Sequence, residues 1–259
     1  MRSAQLAPAS SIITVISRAV LKAARGLLRD FGELEHIGVS RKGPHDFVTT
    51  ADLNAEKILV EELRRVYPAY GFLTEERGAL AGDTDCPYRW VIDPLDGTHN
   101  YLHGFPYWAI SVALEKNGQA VAGVVYDPLR NELFHAEKGS GAYLNNQRLR
   151  IRARQELSET LVAFSCVPFS HLSFLVNQVM GIRKPGAIAL NLAYLAAGRF
   201  DACLAGKYAP WDTAAGTLLV QEAGGIVTDA TGQQELKDSL IAANINLHEQ
   251  LMQLHIFTE

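Results

Sequence analysis

The stretch Trp90-Val91-Ile92-Asp93-Pro94-Leu95-Asp96-Gly97-Thr98 decides how this 259-residue chain is read. Trp90 to Ile92 reads as a hydrophobic strand that delivers two carboxylates, three residues apart, into a turn. Pro94 and Gly97 set the turn's backbone, so Asp93 and Asp96 point at one place. Two carboxylates that close repel each other unless a cation joins them. Hard oxygen donors suit Mg²⁺, with a backbone carbonyl such as that of Leu95 as a further donor. The N–H groups of Gly97 and Thr98, after the turn, are placed to meet a phosphate oxygen. Pro-x-Asp-Gly is also an ordinary surface turn, so the stretch alone leaves both readings open.

Three further acidic segments bear on the choice. Phe72-Leu73-Thr74-Glu75-Glu76 ends an apolar strand with an acidic pair, which in isolation is a solvent-facing pair. Asp52, at the end of Asp46–Asp52, stands where a helix begins and fits an N-cap. Pro210-Trp211-Asp212-Thr213-Ala214-Ala215-Gly216 opens another helix with an acid, again in N-cap position.

Outward from these segments the pattern is mixed α and β. Residues 11–31 repeat apolar residues (Ile12, Ile16, Ala19, Ala23, Leu27) at helical spacing. Gly32 to His45 reads as a loop, Asp52 to Val66 as a second helix ended by Pro68, and Gly71–Thr74 and Arg89–Ile92 as strands. Trp108–Leu114, Val121–Tyr126 and Glu132–Glu137 read as antiparallel strands, separated by turn signals such as Asn117-Gly118 and Asp127-Pro128. In the second half, Leu161–Ser165, Phe200–Leu204 and Gly225–Thr228 read as strands. Ala189–Ala197 and Thr213–Ala223 read as helices stopped by Gly198 and Gly224-Gly225. An α+β region, residues 1–150, followed by a tightly joined α/β region, residues 151–259, fits this order.

Composition narrows the class. Apolar residues make up 48% of the chain and charged residues 20%, which excludes disordered and low-complexity proteins. The net charge of −4 gives no basic face for nucleic acid, so a phosphate handled here needs positive charge from elsewhere, such as a metal ion. The longest apolar runs, such as Ala120–Tyr126, fall far short of the roughly 20 residues that span a bilayer. Cys86, Cys166 and Cys203 are odd in number and widely spaced, which points to free thiols in a reducing compartment, the cytoplasm. The start is free of acids until Asp30 and contains arginine, as a transit peptide does. Its apolar period fits an ordinary first helix, and Arg18, Lys22 and Arg25 exclude a secretory signal.

Taken together, the four acidic segments resemble the inositol monophosphatase family of metal-dependent, lithium-sensitive sugar phosphatases. The resemblance covers about residues 12 to 250. Its two motifs are Trp90–Thr98, continuing through Asn100, Gly104 and Pro106, and Trp211–Gly216, continuing through Glu222-Ala223-Gly224-Gly225. It implies an α+β fold, a layered αβαβα sandwich, in a homodimer that hydrolyses phosphate monoesters with Mg²⁺, two or three ions per site. Carried over by resemblance, the metal ligands are Glu75, Asp93, the Leu95 carbonyl, Asp96 and Asp212, with Asp93 bridging two ions. Asp52 and Thr98 are the water-activating pair beside Glu75, and Glu76 is a weaker candidate. Asp96, Gly97, Thr98, Gly186, Ala187, Ile188 and Asp212 are the substrate contacts. The implied substrate is inositol monophosphate or a related polyol or sugar phosphate. Fructose 1,6-bisphosphate and 3′-phosphoadenosine 5′-phosphate are the alternatives, and a partner role in a transcription complex is an alternative of another class.

Some residues stand apart from that pattern. Inositol-specific members carry a Glu where this chain has Ala205, and the segment from Phe164 to Gly186 is short. His99 and His103 read as loop residues, Arg183-Lys184 and Arg41-Lys42 as solvated charges, and Phe105, Tyr107 and Trp108 as core or dimer contacts.

Overall fold

The computed structural model describes residues 10–33, 39–43 and 46–257. The leader question at residues 1–9 and parts of the stretch read as a loop at 32–45 lie outside these, as do the side chains of Arg41 and Lys42.

Five layers stack on one another. The outermost holds helices α1 (Ser11–Phe31) and α2 (Thr50–Val66). The apolar face of α1 is Ile13, Ile16, Val20, Ala23 and Leu27, all buried. It packs with Leu59 and Leu63 of α2 against Trp90, Ile92, Ile110 and Val112 of the next layer.

That layer is an eight-stranded sheet in the order β10-β9-β8-β7-β6-β5-β3-β4. Its strands are β3 (Gly71–Thr74), β4 (Gly78–Leu80), β5 (Tyr88–Asp96), β6 (Ala109–Lys116), β7 (Gln119–Asp127), β8 (Glu132–Glu137), β9 (Gly141–Leu144) and β10 (Gln147–Arg148). β5 shows why both faces are covered. Trp90 and Ile92 face α1 and α2, while Val91 between them faces the opposite core, as the two-residue period of a strand dictates.

The central layer is α5 (Ile188–Ala196) and α6 (Pro210–Glu222). Every residue of α5 is buried, the signature of a helix enclosed on all sides. A five-stranded sheet follows, in the order β12-β11-β13-β15-β14. It comprises β11 (Leu161–Ser165), β12 (Gly181–Arg183), β13 (Ala202–Gly206), β14 (Ile226–Thr228) and β15 (Ser239–Ala243). Its outer face is closed by α4 (Phe169–Leu172) and α7 (Ile245–Gln253), where Leu172, Leu247 and Leu251 meet Val162, Phe164 and Ile241. The layered αβαβα sandwich of the sequence reading is therefore the observed architecture.

Several local expectations need correction. The stretch read as a loop contains strand β1 (Val39–Gly43), paired antiparallel with β2 (Asp46–Thr49). β5 does not stop at Ile92 but continues to Asp96. Its pairing with β6 passes from Asp93↔Ser111 to Asp96↔Ala109, so one extra residue bulges out. Pro94, which has no N–H for the ladder, is tolerated at such a bulge. The helix α3 (Thr98–Leu102) contains His99 and ends at His103, both read as loop. Trp108 and Tyr107 are buried, and Phe105 is exposed.

Candidate active site

The bulge at the end of β5 builds the site. Asp93 turns its Oδ1 back to accept the Leu95 N–H at 2.9 Å. Gly97 then adopts a φ of 98°, in the left-handed region. A Cβ there would lie 3.0 Å from the Tyr107 carbonyl oxygen and 3.3 Å from Ala187, so the turn needs glycine. Thr98 follows as the first residue of α3.

The Thr98 hydroxyl lies 3.2 Å from Asp52 Oδ1 and 3.1 Å from the Leu95 carbonyl oxygen. A hydroxyl has one proton to donate, so these two acceptors share it, and its lone pairs stay open to a water. Asp52 is fully buried in the first turn of α2. Thr50 opens that helix, so Asp52 is not its N-cap.

Asp96 is held from across the molecule. Its oxygens accept the N–H groups of Ile188 (3.1 Å), Ala189 (2.7 Å) and Leu190 (3.3 Å), the first turn of α5. Helix N-termini favour a carboxylate in this position. Asp212 lies two residues inside α6 rather than at its N-cap, and its Oδ2 accepts the Ala209 N–H at 2.8 Å. Glu75 follows β3, and its N–H bonds the Ile92 carbonyl at 3.2 Å, which ties it to β5.

Glu75, Asp93, Leu95, Asp96, Gly97, Thr98, His99, Gly186 and Asp212 line one hollow of ≈ 160 Å³. The hollow thus gathers every metal-ligand candidate of the sequence reading, with Thr98, Gly97 and Gly186. Asp52 reaches it through Thr98. Ala187 and Ile188 are buried behind it, and the Ile188 N–H is engaged by Asp96. His99 on its lining was passed over in the sequence, where a histidine beside a motif carries no signal of which way it faces. A wider surface hollow of ≈ 640 Å³ at Ala69 and Gly82–Cys86 shares no residue with this one and gathers no comparable set of groups.

Crowding four acids in one buried place raises their proton affinity. Burial pushes Glu75 up to about 8, opposed by its hydrogen bond to Asp93 and reinforced by the charges of Glu76, Asp212 and Asp52. Asp93 is raised by burial and then by Glu75, Asp96 and Asp212. Asp96 is raised by burial and by Asp212, against the three N–H groups that favour its ionised form. Burial brings Asp212 to about 6, partly offset by the Ala209 N–H.

Among the described residues no three His, Cys, Asp or Glu side chains stand at metal-ligand spacing. Asp93, Asp96 and Asp212 each give an oxygen to backbone N–H groups instead. The donor set nevertheless fits a hard divalent cation. Glu75 Oε2 is buried without a hydrogen-bond partner, and the ionised acids need a positive neighbour to coexist.

Fold and site together define a class, the phosphoric monoester hydrolases built on a layered sandwich. Within that class the chain belongs to the inositol monophosphatase family, whose model matches residues 9–256. It is 46% identical over 246 residues to an inositol-1-monophosphatase of Mesorhizobium japonicum, covering 91% of this chain and 92% of that one. It is 41% identical over 259 residues to a Nus factor SuhB of Xylella fastidiosa, covering 93% of each. The crystal structure of extragenic suppressor protein suhB from Bartonella henselae matches with a TM-score of 0.92 at 43% identity. That match covers 95% of this chain and 98% of the other.

Proposed function

We propose that the acidic hollow hydrolyses inositol 1-phosphate and related polyol or sugar phosphates with Mg²⁺. The observation that carries this reading is the Thr98 hydroxyl set between Asp52 and the Leu95 carbonyl, at the edge of the carboxylate cluster. Glu75, Asp93, the Leu95 carbonyl, Asp96 and Asp212 would hold two or three Mg²⁺ ions. When bound, such ions offset the charge of the phosphate and make water more acidic.

The chain's own residues supply the rest. Thr98 Oγ1 orients the attacking water, and the water's proton moves toward Asp52 Oδ1. The water oxygen bonds to phosphorus and the ester P–O bond breaks; the leaving oxygen takes a proton from solvent, and Asp52 releases the proton it accepted back to solvent. The N–H groups of Gly97 and Thr98 hold phosphate oxygens at the start of α3. No covalent phosphoenzyme is required.

Lithium sensitivity, a homodimer and a cytoplasmic location belong to the same reading and rest on family membership. Among the described residues no helix is long and apolar enough to cross a membrane. A second reading, a partner role in a transcription complex, is favoured by the 41% identity to a protein named Nus factor SuhB. The intact acidic hollow supports retained catalysis beside any such role.

Phosphate release from inositol 1-phosphate, fructose 1,6-bisphosphate and 3′-phosphoadenosine 5′-phosphate, with and without Mg²⁺, tests the proposal. Mg²⁺-dependent release from inositol 1-phosphate supports it. No release from any of the three by folded protein contradicts it.

A further inference from the structure

Residues 185–191 bring two things to the acidic hollow. Gly186 lines it, and the N–H groups of Ile188, Ala189 and Leu190 hold Asp96. The segment leads into α5 of the central layer, whereas Asp96 ends β5 of the large sheet. Something must hold the one against the other.

The segment is fastened at both ends. At the first, Asn100 of α3 uses both protons of its amide. Its Nδ2 donates to the Pro185 carbonyl at 2.8 Å and to the Tyr107 carbonyl at 2.6 Å. Gly186 has a φ of 97°, and a Cβ there would lie 2.9 Å from Asn100 Nδ2, so the amide fits only against glycine. At the second end, Asn191 is buried in α5, whose only other polar side chain is Tyr194. Its Oδ1 accepts the Tyr107 hydroxyl at 2.8 Å, and its Nδ2 donates to Ser165 Oγ, at the end of β11, at 3.1 Å. Burial raises the Tyr107 phenol above its usual range, so the hydroxyl stays protonated and donates.

Tyr107 serves both ends: its carbonyl takes Asn100 and its hydroxyl takes Asn191. A Cβ on Gly97, across the hollow's lining from Gly186, would come within 3.0 Å of that same carbonyl. One chain of four hydrogen bonds therefore ties α3, the approach to β6, α5 and β11 together around the segment. Apolar packing is non-directional and leaves a helix free to shift between two sheets. A buried polar chain with its members paired fixes one setting.

We propose that Asn100, Tyr107, Asn191 and Ser165 clamp residues 185–191, and that Asn100 and Asn191 are positioning residues of the site. The clamp keeps the three N–H groups on Asp96 and the Gly186 wall in place, and so sets Mg²⁺ affinity and the KM for substrate. This rests on the reading of the hollow as a Mg²⁺-dependent phosphatase site.

Hydrogen exchange tests the clamp without requiring turnover. Tyr107→Phe, Asn191→Leu and Ser165→Ala combined replace the second end by apolar groups and leave none of its side chains unpaired. The Tm of this triple variant should stay within about 3 °C of wild type. Its Ile188, Ala189 and Leu190 amides should nevertheless exchange about tenfold faster, and its calorimetric Kd for Mg²⁺ should rise about fivefold or more. Asn100→Ala, at the half-buried end, should raise KM for inositol 1-phosphate about tenfold with kcat changed by less than about twofold. A purely structural loss would lower the amount of active enzyme and leave KM unmoved. Wild-type exchange and wild-type Mg²⁺ affinity in the triple variant overturn the clamp. If the triple variant does not fold, Asn100→Ala decides, and unchanged KM with unchanged exchange overturns it. Faster exchange in the variants of a protein that releases no phosphate keeps the clamp and retires the phosphatase reading.

Discussion

At the scale of single residues, the chemistry of the hollow turns on where protons and charges sit. The Thr98 hydroxyl serves two acceptors, Asp52 and the Leu95 carbonyl. Thr98→Ala should lower kcat by about 10²-fold at saturating Mg²⁺, and Thr98→Ser should recover most of that loss, since the positioned hydroxyl is what matters. Steady-state kinetics on both variants checks this, and an unimpaired Thr98→Ala removes Thr98 from the mechanism. A second residue acts at a distance. Glu56 is fully buried one turn beyond Asp52. Its Oε2 accepts the Glu76 N–H at 2.8 Å, and Arg77 Nε approaches its Oε1 at 3.2 Å. It therefore holds the loop that carries Glu75. Glu56→Ala should cost about 1–3 kcal/mol by leaving the Glu76 N–H without this acceptor. The Mg²⁺ concentration for half-maximal rate should rise severalfold as Glu75 loses its anchor; an unchanged metal dependence would show that Glu56 serves stability alone. Asp93 and Asp96 were legible because both lie in one short motif. Glu56 was not, because a glutamate on a helix reads as solvated until the fold brings a loop against it.

At the scale of elements, the site depends on one bulge and one close crossing. The turn chemistry of Pro94 and Gly97 was legible, but the continuation of β5 to Asp96 was not. A proline inside a strand normally ends it, and only the pairing with β6 shows the ladder resuming past the extra residue. Asp52 and Asp212 looked like N-caps because acids favour the whole first helical turn, and sequence does not separate the cap from that turn. Their helices in fact begin at Thr50 and Pro210. The crossing of α5 and α6 relies on Gly216, where a Cβ would lie 2.6 Å from the Leu192 Cβ. Gly216→Ala should destabilise the protein by about 1–3 kcal/mol by forcing α5 and α6 apart. Urea unfolding measures this, and a wild-type midpoint would show that the crossing adjusts freely. Because α6 carries Asp212 and the N-terminus of α5 holds Asp96, activity should fall with stability.

At the scale of the whole molecule, three of the five layers meet at the site, because the acids come from separate places. Asp52 comes from the outer helix layer, Asp93 and Asp96 from the large sheet, and Asp212 from the central helices. The layered class was legible through the resemblance. The small sheet was only partly so. β15 is a five-residue strand that pairs with β13 and β14, and its partners lie far enough along the chain that no local turn signal marks it. α7 follows an Asn244 N-cap that bonds the Leu247 N–H, a signal present in the sequence but easily passed over in a short helix. The gathered acids also set a pH dependence. Glu75 titrates near 8 and Asp212 near 6, both above their values in the unfolded chain. Without metal, the folded protein therefore holds protons that the unfolded chain has released. The stability this gives is complete below the unfolded carboxylate range and is lost as pH rises through about 6 to 8. In a chelator the Tm should fall across that window by several degrees, and Mg²⁺ should flatten the fall by favouring the ionised acids. A metal-free Tm that rises from pH 6 to 8 would contradict this account of the hollow.

The central claim is that the carboxylates around the β5 bulge hydrolyse phosphate monoesters with a divalent cation. The direct measurement is phosphate release from inositol 1-phosphate across a Mg²⁺ titration, for the wild-type protein and for Asp93→Asn. Saturable, Mg²⁺-dependent release is expected of the wild type and a loss of at least about 10³-fold of the folded variant, since Asp93 is the proposed bridging ligand and lies buried among Glu75, Asp96 and Asp212. Release that needs no divalent cation, or that survives in Asp93→Asn, would contradict it.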